Sequence, residues 1–200
     1  SQVEVDPEDP AFYHPTKPIG RFMTKEEAVK KEAKGIPCVE DSGRGYRQVV
    51  ASPKPKRIRE LQTIRTLVNA GHIVVTCGGG GIPVVQKDGK LVGVNAVIDK
   101  DSASSLLAQK LDAEYLVILT AVEKVAIHFG KPDQQWLSEL TVEEAKKYMA
   151  EGEFPAGSML PKIEAAIAYL EKVPAGKVLI TSMDHVKDAI RGKAGTVITA

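Results

Sequence analysis

The chain has 200 residues, enough for one domain or one domain with an appendage, and 43% of them are apolar, enough to bury a sizeable core. Its 27 basic and 26 acidic side chains balance, which argues against a nucleic-acid footprint or a membrane-surface patch. No apolar stretch approaches the length of a membrane span, residues 1–6 carry neither a basic region nor an apolar signal core, and a cytoplasmic setting is expected.

Residues 1–22 contain Pro7, Pro10, Pro15 and Pro18 and read as extended chain and turns. Thr24 to Glu27 form a capping box, which predicts a helix to Lys34 stopped by Gly35, with a mostly charged and exposed face. Two strand-like runs, 36–40 and 46–50, flank Asp41-Ser42-Gly43-Arg44-Gly45 and predict a hairpin with a basic, glycine-containing tip. Pro53 and Pro55 mark a boundary, giving an extended start with a small protruding lid over 1–52 and an α/β/α portion over 53–200.

Beyond it, Ile58, Leu61, Ile64, Leu67 and Val68 follow helical spacing to Gly71. Residues 72–77 predict a buried strand ending in four glycines, Gly78, Gly79, Gly80 and Gly81. Val84-Val85 and Leu91-Val92 predict a hairpin around Asp88-Gly89. Residues 94–98 approach a charged corner, Asp99-Lys100-Asp101-Ser102, and a helix follows over 102–111. Residues 115–120 are continuously apolar, as in a parallel strand buried on both faces, and 125–129 predict another strand. Thr141 to Glu144 are a second capping box, opening a helix over 141–151; Ser158 caps a longer helix carrying Ile163, Ala166, Ile167 and Leu170. A strand over 177–181, a helix over 183–191 and a strand over 196–199 complete the pattern. The alternation of strands and helices predicts a three-layer α/β/α sandwich with a mainly parallel sheet.

Three corners carry the candidate chemistry. Gly78 to Gly81 lack the lysine of a phosphate-binding P-loop and the spacing of a dinucleotide fingerprint, so a plain turn is one reading. Four glycines after an apolar run cost backbone entropy, which favours a loop whose amides close on an anion. Lys100 and Asp101 read either as a solvated pair with Asp101 and Ser102 capping, or as a cation over a helix N-terminus placed to meet phosphate. Gly157, Ser158, Met159 and Lys162 form a similar corner, where Lys162 sits at the positive end of a helix and is mildly unfavourable without an anion. Phosphoryl transfer needs cations that follow charge from the transferred group to its new position, and the three corners together supply them. The two cysteines, Cys38 and Cys77, show no redox or metal spacing, and the four histidines show no zinc-ligand spacing.

The segments VTCGGGGIPV, VNAVIDKDSASSLLA, LVILTAVEKV and GEFPAGSMLPKIEAAIAYLE resemble the amino-acid-kinase fold and, within it, the carbamate kinase family. Residues 9–20 and 40–50 resemble that family's proline-rich start and protruding subdomain, which acetylglutamate, uridylate and aspartate kinases lack in this form. The resemblance covers essentially the whole chain. It implies the reaction ATP + carbamate ⇌ ADP + carbamoyl phosphate with magnesium, run toward ATP in arginine fermentation by a homodimer. It also implies site roles. Lys100 lies near the transferred phosphoryl group, with Asp101 orienting lysines or metal. Lys162 neutralises nucleotide phosphates, and Lys17 closes over carbamate or phosphate from the lid. Gly78 to Gly81 flank the phosphoryl group, while Thr120, Ala121 and Val122 border the adenine nucleotide. No metal ligand is assigned. Family members begin with a further portion carrying two glycine-rich loops not found here, so residue 1 is expected to fall near the middle of a family member. The alternatives are another amino-acid kinase, of acetylglutamate or uridylate type, or a nucleotide-binding module without catalysis.

Overall fold

The computed structural model describes residues 1–41 and 43–200; Ser42, part of the expected hairpin tip, lies outside the described residues. The chain divides into two compact units, Ser1–Ala103 and Ser104–Ala200. The first contains, in chain order, β1 (Gln2–Val5), β2 (Lys17–Met23), α1 (Lys25–Glu32), β3 (Cys38–Glu40), β4 (Tyr46–Val50), β5 (Pro55–Ile58), α2 (Leu61–Asn69), β6 (Ile82–Lys87) and β7 (Lys90–Gly93). Helix α3 (Lys100–Leu111) begins in the first unit and continues into the second. The second contains β8 (Tyr115–Thr120), β9 (Val125–Ile127), β10 (Gln135–Leu137), β11 (Glu139–Thr141), α4 (Val142–Ala150), α5 (Met159–Leu170), β12 (Lys177–Ser182), α6 (Val186–Ile190) and β13 (Thr196–Thr199).

The first unit holds a sheet of order β5-β1-β6-β7. The short start is not only turns: Gln2-Val3-Glu4-Val5 alternates with the period of a half-buried strand, and β1 sits inside the sheet with Val3 and Val5 buried. Ile58 ends β5 opposite Val3 instead of opening a helix, and α2 starts three residues later. The Glu60 carboxylate, at its N-cap, accepts the amide of Gln2. Asp88 and Gly89 both take positive φ, the two-residue turn that the Asp-Gly pair predicts, and β6 and β7 pair from Lys87 and Lys90. A separate antiparallel sheet of order β2-β4-β3 carries α1, whose capping box forms as read, with Glu27 donating its amide to Thr24 and taking that of Thr24 in return.

One expectation fails here. Residues 72–77 form no strand, and Ile73 and Val75 are 99% and 96% exposed. β-Branched residues favour a strand only where a neighbouring strand supplies a ladder and a packing surface. Among the described residues none pairs with this run.

The second unit holds a sheet of order β11-β13-β12-β8, with the β9–β10 hairpin apart from it. Strand β12 runs parallel to β8 and antiparallel to β13, and β11 runs parallel to β13. The α/β class is as expected; the four-stranded sheet of each unit is mixed, with parallel pairs β1–β6, β8–β12 and β11–β13 and antiparallel pairs β1–β5, β6–β7 and β12–β13. Helix α5 lays Ile163, Ala166 and Leu170 on Leu116, Ile118, Val178, Ile180 and Ile198. Strand β8 is buried on that face alone: Tyr115, Val117 and Leu119 point to solvent, against the expectation of a strand covered on both sides. The second capping box, Thr141 with Glu144, forms as read.

Thr196 joins the hairpin to the sheet. Fully buried, it accepts the amide of Val125 at 2.8 Å and donates its hydroxyl to the carbonyl of Leu137. Thr196→Val keeps the shape and deprives both groups of this partner, so it is expected to lower stability by about 2 kcal/mol. The check is the urea midpoint at unchanged slope.

Candidate functional site

In the first unit the corner is built on one close backbone approach. Gly80 and Gly81 both take positive φ. A Cβ at Gly80 would overlap the carbonyl of Ile98, and one at Gly81 would overlap Val3, whereas a Cβ at Gly78 or Gly79 would meet nothing. Two of the four glycines are therefore demanded by packing, and the other two leave backbone open to solvent. Cys77, buried just before them, also takes positive φ.

Because Gly80 lies on Ile98, the glycine loop lies beside the residues that follow Ile98. Asp99 Oδ1 accepts the amides of Asp101 at 2.9 Å and Ser102 at 3.2 Å, capping α3. Its Oδ2 takes an ion pair from Lys17, the first residue of β2. Burial alone would raise the Asp99 pKa. The hydrogen bond and charge of Lys17 outweigh it, helped by the amides of Ser102 and Asp101, and the carboxyl lies below its ordinary 3.8. Asp101 is buried, and Lys100 reaches its Oδ1 at 2.8 Å. Of the expected site residues, the structure thus brings Lys17, Lys100, Asp101 and the glycine loop to one corner.

Asp99 is the residue that sequence reasoning missed there. The signal was present, since an aspartate closing an apolar run just before a helix is a strong N-cap candidate. The cap was assigned instead to Asp101 or Ser102, which lie inside the helix.

In the second unit, Thr120, Ala121, Val122, Ser158 and Met159, all among the expected site residues, line one cleft of about 220 Å³. Lys124, Ala126, Phe129 and Pro155 complete its wall, and no spacing in the sequence announces them. Phe129 stacks edge-on against Trp136, with ring centroids 6.2 Å apart. Ser158 occupies the N-cap of α5 but makes no capping bond with its side chain, contrary to the expected cap; its φ and ψ, −142° and −74°, take it out of the extended geometry that such a bond uses. Its carbonyl faces Lys162 Nζ at 3.4 Å. Gly157 lies in the turn between Pro155 and Ser158 and is not part of the lining. Among the described residues no three carboxylate, imidazole or thiolate groups cluster to hold a metal, and no helix is long and apolar enough to cross a membrane.

A model of the amino acid kinase family matches residues 25–182. The chain is 55% identical over 199 residues to a carbamate kinase of Staphylococcus haemolyticus and 54% identical over 198 residues to the carbamate kinase-like protein YqeA of Escherichia coli. Each match covers 99% of this chain and 64% of the relative. A solved carbamate kinase of Giardia lamblia, bound to AMP-PNP, superposes with a TM-score of 0.85 at 44% identity, over 99% of this chain and 63% of that one. The chain thus spans just under two thirds of the length of these relatives.

Two outcomes follow from the first-unit corner. Gly80→Ala is expected to destabilise the protein by at least about 2 kcal/mol, from backbone overlap and positive φ together, while Gly79→Ala costs less than about 1 kcal/mol; thermal unfolding of both variants checks the contrast. A carboxyl with a lowered pKa stabilises the fold fully above its unfolded value and loses that contribution as pH falls through the folded one. The Asp99 contribution is therefore present above about pH 3.8 and lost on acidification below it. Unfolding stability of Asp99→Asn and unaltered protein should converge in acid and diverge near neutrality.

Proposed function

This chain belongs to the amino acid kinase family, and on that premise we propose that it performs phosphoryl transfer of the carbamate kinase type, ATP + carbamate ⇌ ADP + carbamoyl phosphate. The observation that carries the reading is the assembly of Lys17, Asp99, Lys100 and Asp101 beside the glycine loop in the first unit. The extent of similarity to carbamate kinases supports the choice of substrate.

In this reading the phosphoryl group moves between a terminal oxygen of ADP and an oxygen of carbamate, one P–O bond forming as the other breaks. Little covalent chemistry falls to the protein; its contribution is position and compensating charge. Lys100, held by Asp101 at 2.8 Å, supplies an ammonium that gains from the charge of the transferred group. Lys17 supplies a second ammonium, kept at the corner by Asp99, and it belongs to the three-stranded sheet that this reading treats as a lid over Lys17 to Val50. Gly78 and Gly79 are exposed; the Gly78 amide is given to the carbonyl of Thr76 at 2.8 Å, and the Gly79 amide is the donor this reading offers to phosphate oxygens.

The cleft of the second unit takes the nucleotide, with Thr120, Ala121, Val122 and Met159 against the base. Lys162 and the N-terminus of α5 face phosphate. Magnesium, when bound with the nucleotide, would supply further compensation for phosphate charge; Asp99 and Asp101 are the carboxylates of the first corner that would hold it, each already paired with a lysine. The same reading carries a cytosolic setting, homodimeric assembly and ATP formation at the end of arginine breakdown; the unpaired thiols Cys38 and Cys77 agree with a reducing compartment.

The test is ATP synthesis from ADP and carbamoyl phosphate by the full-length protein. Lys100→Ala should lower kcat by about 10²-fold and leave ADP affinity nearly unchanged, as expected for an interaction stronger in the transition state. No synthesis by the unaltered protein would refute the reaction. A variant that raises only the KM for ADP would make Lys100 a binding residue.

A further inference from the structure

His128 is used by nothing described so far, and its surroundings are unusual. It is one of four residues other than glycine with positive φ among the described residues, at 52°. That conformation is costly for a side chain with a Cβ and persists only where neighbours over-determine it. Here the neighbours are two carboxylates. The His128 amide donates to Glu153 Oε2 at 2.7 Å, and the ring Nε2 lies 3.2 Å from Glu153 Oε1, so one carboxylate holds backbone and ring together. The ring Nδ1 lies 2.8 Å from Asp133 Oδ2, close enough for an ion pair but out of line for a hydrogen bond.

The two halves of this contact adjoin two different segments of the cleft lining. His128 directly follows β9, which supplies Ala126, and directly precedes Phe129. Glu153 stands two residues before Pro155 and is anchored in turn, since its amide closes the end of α4 on the carbonyl of Tyr148 at 3.0 Å. The Glu153 carboxylate is only 15% exposed. A partly buried carboxylate that takes two donors from one residue constrains the span between the chains on either side.

We propose that His128 and Glu153 are positioning residues for the ligand of this cleft, a strap that sets the separation of the Ala126–Phe129 wall from the Pro155–Met159 wall. The proposal rests on the nucleotide reading of the cleft for the ligand's identity. The strap does not touch the ligand; it acts through Phe129 and Pro155. The charged groups facing the ring are Glu153 from the segment after α4 and Asp133 on the turn of its own hairpin. Lys131, on the same turn, approaches through its amide, which bonds the His128 carbonyl at 3.0 Å.

The experiment measures ADP binding by calorimetry in the full-length protein for the unaltered chain, Glu153→Gln and His128→Asn. Asparagine tolerates positive φ, so His128→Asn removes the ring without adding backbone strain. Glu153→Gln keeps an acceptor for the His128 amide and removes the charge. Both variants should bind ADP about tenfold more weakly than the unaltered protein. Affinities equal to that of the unaltered protein would overturn the strap. A second readout needs no nucleotide. Amide exchange over 153–158 in ligand-free protein should quicken in both variants, and unchanged exchange would overturn the strap by itself. If the unaltered protein fails to bind ADP, the nucleotide reading falls and the exchange result alone decides the strap.

Discussion

The first unit turns on the distance between two backbones. The Gly80 main chain rests where any side chain would strike the Ile98 carbonyl, and Gly81 rests in the same way on Val3. These two approaches lock the glycine loop to β1 on one side and to the start of α3 on the other. Asp99, placed by Ile98, then caps α3 and receives Lys17 from a different sheet. Remove the close approach, and the loop, the cap and the lysine lose their common reference point. The close contacts fall on Gly80 and Gly81, and Gly78 and Gly79 are left exposed.

Charge placement at this corner is economical. Each lysine has an aspartate beside it: Lys17 with Asp99, Lys100 with Asp101. A paired ammonium is held in position without ligand, yet the partner carboxylates compete with any incoming phosphate. The Asp99 side chain is 16% exposed, so its pair with Lys17 is screened less than a surface bridge.

The second unit solves a different problem. Its core is a sheet face covered by α5, and its cleft lies where β8, the β9–β10 hairpin and the start of α5 come together. Thr196 fastens the hairpin to the sheet from inside, while His128 and Glu153 fasten it from outside. The apolar side chains of β8 that face solvent, with Ile73 and Val75 in the first unit, show that apolar residues here are not all satisfied by the packing of these 200 residues.

Much of this was legible in the chain. Both capping boxes and the Asp88-Gly89 turn rest on interactions within a few residues, so local chemistry suffices to specify them. The resemblance to carbamate kinases likewise lies in contiguous segments. What the sequence could not decide were matters of partnership. β-Branched residues at 73–76 read as a strand, but a strand exists only with a neighbour. Tyr115, Val117 and Leu119 read as buried, but burial of a second face depends on what covers it. Val3 became central because β5 and β6 pair on either side of it. Asp99 met Lys17 across 82 positions, and Glu153 met His128 across 25. Such contacts follow from how distant segments are brought together, and no periodicity along the chain encodes a distance between residues that only the folded backbone makes neighbours.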